Sequence, residues 1–365
     1  MQRLTADKFN VALCCAIPVT FIACKSNNIW IRSLTAAGIS GVFLSFQSSQ
    51  PRTVGTMMAS VLAFLVPLKA TQLLLFPSPG PTPTQQLQRY SAQRISATIE
   101  TIRGYAVGRD FLSFVDTVCE FAWLAAPLTP VEKPTMKNTL FKISESLISF
   151  GVKTVLAPII YRKMLELSTK DKDKSTAVLS LLFAMSIVSG TAGLDLMKAV
   201  VLASTLGRWE VLDFNRYPFL STSVGELWSR RYNLLISRFL HDTVFLPMRR
   251  LKFSPSTSAM AAFSASGILH VFVAYHTFQT GLLGAFVFFN LQGAWVSLEY
   301  LTGYRRKVPS PLRALVTAGF FAATFPLYGG LFISAMPEWL HNNPVPIAGW
   351  SRPVVEYLLP TVLSQ

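Results

Sequence analysis

Residues 258–301 read SAMAAFSASGILHVFVAYHTFQTGLLGAFVFFNLQGAWVSLEYL, with no charged side chain before Glu299. An apolar α-helix needs about 20 residues to cross the hydrocarbon core of a bilayer. Gln279-Thr280-Gly281 divides the stretch into two such lengths, Ser258–Phe278 and Leu282–Leu301. Arg249-Arg250-Leu251-Lys252 precedes the first, and Arg305-Arg306-Lys307 follows the second. Lys and Arg gather on the cytosolic side of membrane proteins. The pattern predicts a tight helical hairpin with both ends cytosolic and the link at Gly281 lumenal, and hence an all-α polytopic membrane protein.

The rest of the sequence agrees. Of 365 residues, 51% are hydrophobic and only 14% are charged. Soluble domains carry about 25% charged residues. Mean hydropathy is +0.41. Working outward from the hairpin, further spans are expected at Phe9–Cys24, Ser33–Phe46, Val54–Phe76, Leu140–Tyr161, Ala177–Leu206 and Leu315–Met336. That makes about eight in one membrane-embedded unit over 1–365, with its chemistry concentrated in 207–301. Phe111–Leu128, which holds Asp116 and Glu120, and Pro353–Leu363 are weaker candidates. Phe9–Cys24 follows Arg3 and Lys8 as a signal sequence would, but Pro18 interrupts it and a second apolar run follows; it reads as an uncleaved first helix. Ala177–Leu206 is long and holds Gly190, Gly193, Asp195 and Lys198. Such a run suggests a broken or doubled helix lining a polar interior. Arg89–Gly108 is amphipathic and fits the membrane surface, while Lys163–Lys174 reads as a charged loop.

Lys and Arg exceed Asp and Glu by 33 to 18, a formal net charge of +15. The basic residues are scattered between apolar runs, so they mark cytosolic loops rather than a nucleic-acid surface. Cys14, Cys15, Cys24 and Cys119 form no CxxC pair and no cluster with histidine. Neither a disulfide framework nor a metal site is expected.

Polar residues within apolar segments carry the functional signal. Of His241, His270, His276 and His341, only His270 lies deep in a span. An ionisable group at that depth is costly and points to function. Ser266, Gly267 and Ala274 on its helical face leave room for a ligand or another helix to approach. A plain interhelical hydrogen bond fits those neighbours equally well. Upstream, Ser223 and Glu226 have capping-box spacing. From there Glu226, Ser229, Arg230, Asn233 and Ser237 are expected along one face of a helix. That stripe suits either a cavity wall or the wet side of an interfacial helix. Gln292 can join a buried hydrogen-bond network, and Glu299 can pair with Arg305 or Arg306. His241-Asp242, before Pro247, reads as a helix end. No GxSxG elbow, P-loop or GxGxxG motif occurs.

Three motifs, in order, resemble the wax-synthase branch of the membrane-bound O-acyltransferases. Ser223, Glu226, Trp228, Arg230, Arg231, Tyr232 and Asn233 follow that family's S-x-x-(E/D)-F-W-x-R-R-W-(N/H). Ser266, Gly267 and His270 follow S-G-x-x-H, and Phe288, Phe289, Gln292, Gly293 and Glu299 follow F-F-x-x-Q-(G/A) with its later acidic residue. Leu227 and Tyr232 depart from the pattern at packing positions. The likeness covers about a quarter of the chain; IETIRGYAVGRD at 99–110 adds a faint similarity to an RGIGW-like element of fungal members.

The resemblance implies acyl transfer from acyl-CoA, as co-substrate, to the hydroxyl of an apolar acceptor, in the endoplasmic reticulum membrane. It implies His270 as catalytic base and Asn233 as its polar partner. Trp228, Arg230, Arg231, Glu226, Gln292 and Ser266 become candidates for substrate or CoA contact, at a reaction tunnel between the helices. No metal, resident cofactor or nucleic-acid partner is expected. The fungal-type element leans toward a terpenoid or other secondary-metabolite alcohol, with wax-ester synthesis as the alternative. A small-molecule transporter would explain a broken span, but it calls for matched discontinuous segments in two halves, which the sequence lacks.

Overall fold

A computed structural model describes residues 6–47, 53–77, 114, 117–118, 120–121, 128–131, 134–170 and 175–342. The expectations for Arg89–Gly108, the RGIGW-like element and Pro353–Leu363 lie outside the described residues, as does most of Phe111–Leu128. The chain forms two compact units, one of residues 1–49 and 58–127, the other of 50–57 and 128–365.

In the first unit, α1 (Ala6–Lys25) and α2 (Ile29–Leu44) form a hairpin, and α3 (Val54–Leu75) supplies most of its length to the same unit. The turn between α1 and α2 is held by its own polar groups. Arg32 donates to the carbonyls of Cys24 (2.9 Å) and Ser26 (2.7 Å), satisfying the end of α1. Asn28 caps α2 by accepting from the Trp30 N–H at 2.9 Å. Phe9 meets Phe43 and Phe46 edge-on, and Ala23, Ala36 and Leu74 form a small buried core. Lys69, 8% exposed within an apolar helix, is neutralised by Glu120 at 2.5 Å.

The second unit holds α4 (Met136–Lys170) and α5 (Ser175–Ser204), which pack together, and β1 (Leu128–Pro130), antiparallel to β2 (Trp209–Val211). Two expectations are corrected here. Lys163–Lys170 continues helix α4 rather than forming a loop. The stretch Ala177–Ser204 is one unbroken helix. Its charges are used between elements: Asp195 accepts from Lys153 (2.5 Å) and Ser149 (2.7 Å), and Lys198 pairs with Asp213 (2.5 Å). Paired in this way, charges within an apolar helix need no aqueous lining.

After β2 come short elements: α6 (Val224–Glu226), a π-helical turn at Leu227–Arg231, α7 (Leu234–Leu240), a second π-helical turn at His241–Phe245, and α8 (Leu246–Arg250). The expected hairpin is then present as α9 (Pro255–Thr277) and α10 (Leu282–Thr302), with Gly281 in the left-handed conformation between them. A one-turn helix, α11 (Tyr304–Lys307), leads to α12 (Ser310–Asn342), which packs on α10. Glycine sets these approaches. A Cβ on Gly284 would lie 2.2 Å from the Leu327 carbonyl oxygen, and one on Gly293 would lie 2.8 Å from Phe263 Cβ.

Helices thus occupy all eight positions expected for spans. Among the described residues, six of them are long and apolar enough to cross a bilayer, while α2, at 16 residues, is shorter. Large apolar side chains such as Leu283 (75% exposed) and Leu315 (71%) face outward, as lipid contact requires. The chain is a polytopic, all-α integral membrane protein.

Candidate active site

The polar segment after β2 is built from local conformational preferences. Ser223 caps α6 by accepting from the Glu226 N–H at 3.0 Å. The Glu226 carboxylate accepts from Thr222 N–H (3.0 Å), Thr222 Oγ1 (2.8 Å) and Arg231 Nε (2.6 Å). Burial alone would raise its pKa; these donors outweigh burial and hold it down at about 2. The two other N–H groups at the start of α6, both buried, are answered from a different helix. Glu299 of α10 accepts from Val224 N–H (2.8 Å) and Gly225 N–H (3.0 Å). Glu299 therefore braces α6, where the sequence suggested a pair with Arg305 or Arg306.

The expected continuous polar face does not form. The π turn closes with Tyr232 N–H donating to the Leu227 carbonyl, and the chain then breaks. Tyr232 is extended, and Asn233 is left-handed at φ 47°, ψ 55°. A preceding segment holds this break open. Asn215 Oδ1 accepts from Asn233 N–H at 2.8 Å, and Leu234 N–H donates to the Phe214 carbonyl at 2.8 Å. Asn233 then begins α7, its Oδ1 accepting from Ile236 N–H at 3.3 Å. With Oδ1 so engaged, the Asn233 amide presents its NH2 group as donor.

A cavity of about 400 Å³ lies between α7, α9, α10, α12 and the two π turns. His270, Asn233, Ser266 and Trp228 all line it. His270 Nδ1 is 2.7 Å from the carbonyl oxygen of Ser266, one helical turn earlier. A carbonyl only accepts, so Nδ1 carries a proton, and in the neutral ring Nε2 holds the lone pair. The imidazole is stacked on Phe289 (centroids 4.1 Å apart) and meets Tyr328 edge-on (5.2 Å). Trp228 is fixed at the centre of an aromatic cluster with Tyr232, Phe263, Phe288 and Phe289. Its indole N–H donates to Gln292 Oε1 at 3.1 Å, and Gln292 donates onward to Thr324 Oγ1 at 2.9 Å.

Glu226, Arg230, Arg231 and Gln292 do not line the cavity. Gln292 is fully buried behind Trp228, Arg231 is turned to Glu226, and Arg230 is exposed. Ser229 and Ser237, two members of the expected stripe, do line it, as does Tyr232 of the first motif; Tyr328 and His241 line it too and were not among the candidates from the sequence. The His241-Asp242 dipeptide, read from the sequence as a helix end, opens a second π turn instead, and the chain stays helical into α8. Tyr328 offered only a tyrosine in an apolar run.

Residues 212–291 match the membrane bound O-acyl transferase family. The chain is 28% identical over 180 residues to a long-chain-alcohol O-fatty-acyltransferase of Simmondsia chinensis, covering 46% of this chain and 50% of that protein. It is 27% identical over 212 residues to the probable long-chain-alcohol O-fatty-acyltransferase 3 of Arabidopsis thaliana, covering 54% and 59%. An acyl-CoA–sterol O-acyltransferase of the same plant is 27% identical over 168 residues, covering 42% and 46%. The chain spans about half the length of the curated relatives it matches. These likenesses support the membrane-bound O-acyltransferase family and its wax-synthase-like branch.

Proposed function

We propose that this membrane-bound O-acyltransferase relative moves an acyl group from acyl-CoA to the hydroxyl of an apolar alcohol, with His270 as general base. The observation that carries the reading is the imidazole of His270, held through Nδ1 on the Ser266 carbonyl, in a cavity it shares with Asn233.

In the proposed step, His270 Nε2 takes the alcohol proton as the alcohol oxygen bonds to the thioester carbonyl carbon. General-base help of this kind is typically worth about 10²–10⁴-fold. The Asn233 NH2 group donates to the oxygen as it becomes negative. The carbon–sulfur bond then breaks, and the proton on His270 passes to the departing sulfur, giving ester and CoA. The CoA thiolate leaves readily enough that no covalent enzyme intermediate is needed. The apolar wall keeps water, the competing nucleophile, from the thioester.

The finer reading is a short acyl group and a compact, ring-rich alcohol such as a terpenoid, in the endoplasmic reticulum. One feature supports it. Aromatic faces from Phe263, Phe289, Phe321 and Phe325 suit flat ring systems. The second reading is wax-ester synthesis, favoured by the activities named for the relatives, with the chains extending beyond the cavity into lipid.

Membranes bearing the chain should convert acetyl-CoA and a polycyclic alcohol to ester, detected by mass spectrometry, and His270→Ala should abolish the product while still inserting. Palmitoyl-CoA with a long-chain alcohol as the preferred pair would decide for the second reading. Full activity in folded His270→Ala protein would remove the proposal.

A further inference from the structure

We infer that His241, braced by Asp242, receives the diphosphate end of acyl-CoA at the mouth of the cavity. The inference rests on the acyltransferase reading and adds to it a recognition residue outside the chemistry. His241 opens the second π turn, and its side chain is 52% exposed while also lining the cavity that holds His270. Its Nδ1–H donates to Asp242 Oδ1 at 2.9 Å, and its ring is stacked on Phe245 with centroids 5.2 Å apart. The imidazole is therefore held on two sides, with Nε2 left for a ligand. A protonated ring offers Nε2–H to a phosphate oxygen as a charge-assisted hydrogen bond. Among the described residues lining the cavity, only His241 and His270 can bear positive charge. Arg231, the arginine expected nearby, is occupied by Glu226.

Length supports the assignment. Ala259 and His270 lie on the same helix, and both line the cavity. At 1.5 Å per residue, they are about 16 Å apart along its axis. The turn bearing His241 packs on α9 and joins the start of that helix through α8 and the link Leu251–Ser254. His241 and Phe245 of that turn both line the cavity. The pantetheine arm of CoA runs from sulfur to phosphate through a dozen bonds, as many as four peptide residues, and so reaches about 14 Å when extended. From a thioester at His270 the arm is long enough to run most of the way to the Ala259 end of the cavity. Ser229 and Ser237, which also line the cavity, offer hydroxyl oxygens as acceptors to the two amide N–H groups of the arm.

The test compares CoA with pantetheine, which lacks the phosphates, by calorimetric binding to the purified full-length chain in micelles. His241→Ala should weaken CoA by about ten-fold or more, the worth of a hydrogen bond to a charged group, and leave pantetheine unchanged. Should His241→Ala fail to fold, His241→Leu, which fills the space but has no donor, carries the same expectation. No CoA binding by the wild-type chain, equal weakening of both ligands, or unchanged CoA affinity would each overturn the inference. Ester formation is scored separately. CoA binding through His241 with no ester from any alcohol would sink the acyltransferase reading and leave this one standing. Ester formation by His241→Ala at the wild-type KM for acetyl-CoA would do the reverse.

Discussion

Asn233 does two jobs with one side chain. Its Oδ1 caps α7, and its backbone occupies a left-handed conformation that asparagine and aspartate tolerate better than most residues. The amide NH2 is left for the proposed oxyanion. The two roles separate by substitution. Asn233→Asp keeps the cap and the tolerance for positive φ but loses the donor. Asn233→Ala loses all three. Both should lower kcat by about 10²–10³-fold, the usual cost of one oxyanion donor. Only the alanine variant should also lose stability, by about 1–2 kcal/mol, read as a fall in Tm. Wild-type kcat in folded Asn233→Asp would take Asn233 out of the chemistry.

The elements that shape the cavity are short and irregular, and they stand because longer helices brace them. Glu299 is the clearest brace, 6% exposed and bonded to two backbone N–H groups of α6. Gly225 and Trp228, at and just beyond those bonds, both line the cavity. Glu299→Ala leaves two buried donors without their acceptor, at about 1–3 kcal/mol each. Both Tm and kcat should therefore drop, while Glu299→Gln, which keeps one acceptor oxygen, should fall between. Loss of kcat with no change in Tm would contradict a bracing role. The π turns on either side of α7 serve the same end. Each adds a residue to the helical turn and so re-aims the next stretch of chain, Asn233 after the first and α8 after the second.

For the molecule as a whole, the basic clusters Arg249-Arg250-Leu251-Lys252 and Arg306-Lys307 flank the α9–α10 hairpin, with Gly281 at its tip. The positive-inside rule puts the clusters in the cytosol and the tip across the bilayer. In sealed microsomes, a cysteine at position 307 should react with an impermeant maleimide, and one at 280 should react only after permeabilisation. The opposite pattern would invert the hairpin. Much of this organisation was legible in the sequence. Burial of apolar surface in lipid depends on run length and composition, which are local, so helices fell at all eight expected positions. His270 was legible for a related reason: a titratable group amid apolar residues stands out by contrast alone.

The sequence by itself determined the membrane class, the helical hairpin and the histidine at its heart, because hydropathy and charge act residue by residue. Tertiary structure alone decided how the polar groups are spent. Helical spacing put Asn233 on a continuous face with Glu226 and Arg230, yet a zipper to Phe214 and Asn215, distant in sequence, breaks the helix at Tyr232. The charges in α5 suggested a broken span, yet Lys153 and Asp213, on other segments, satisfy them within an intact one. Glu299 suggested an arginine partner, yet the free N–H groups of α6 hold it. In each case the partner comes from a distant part of the chain, and a buried polar group takes whichever partner the packing brings within reach.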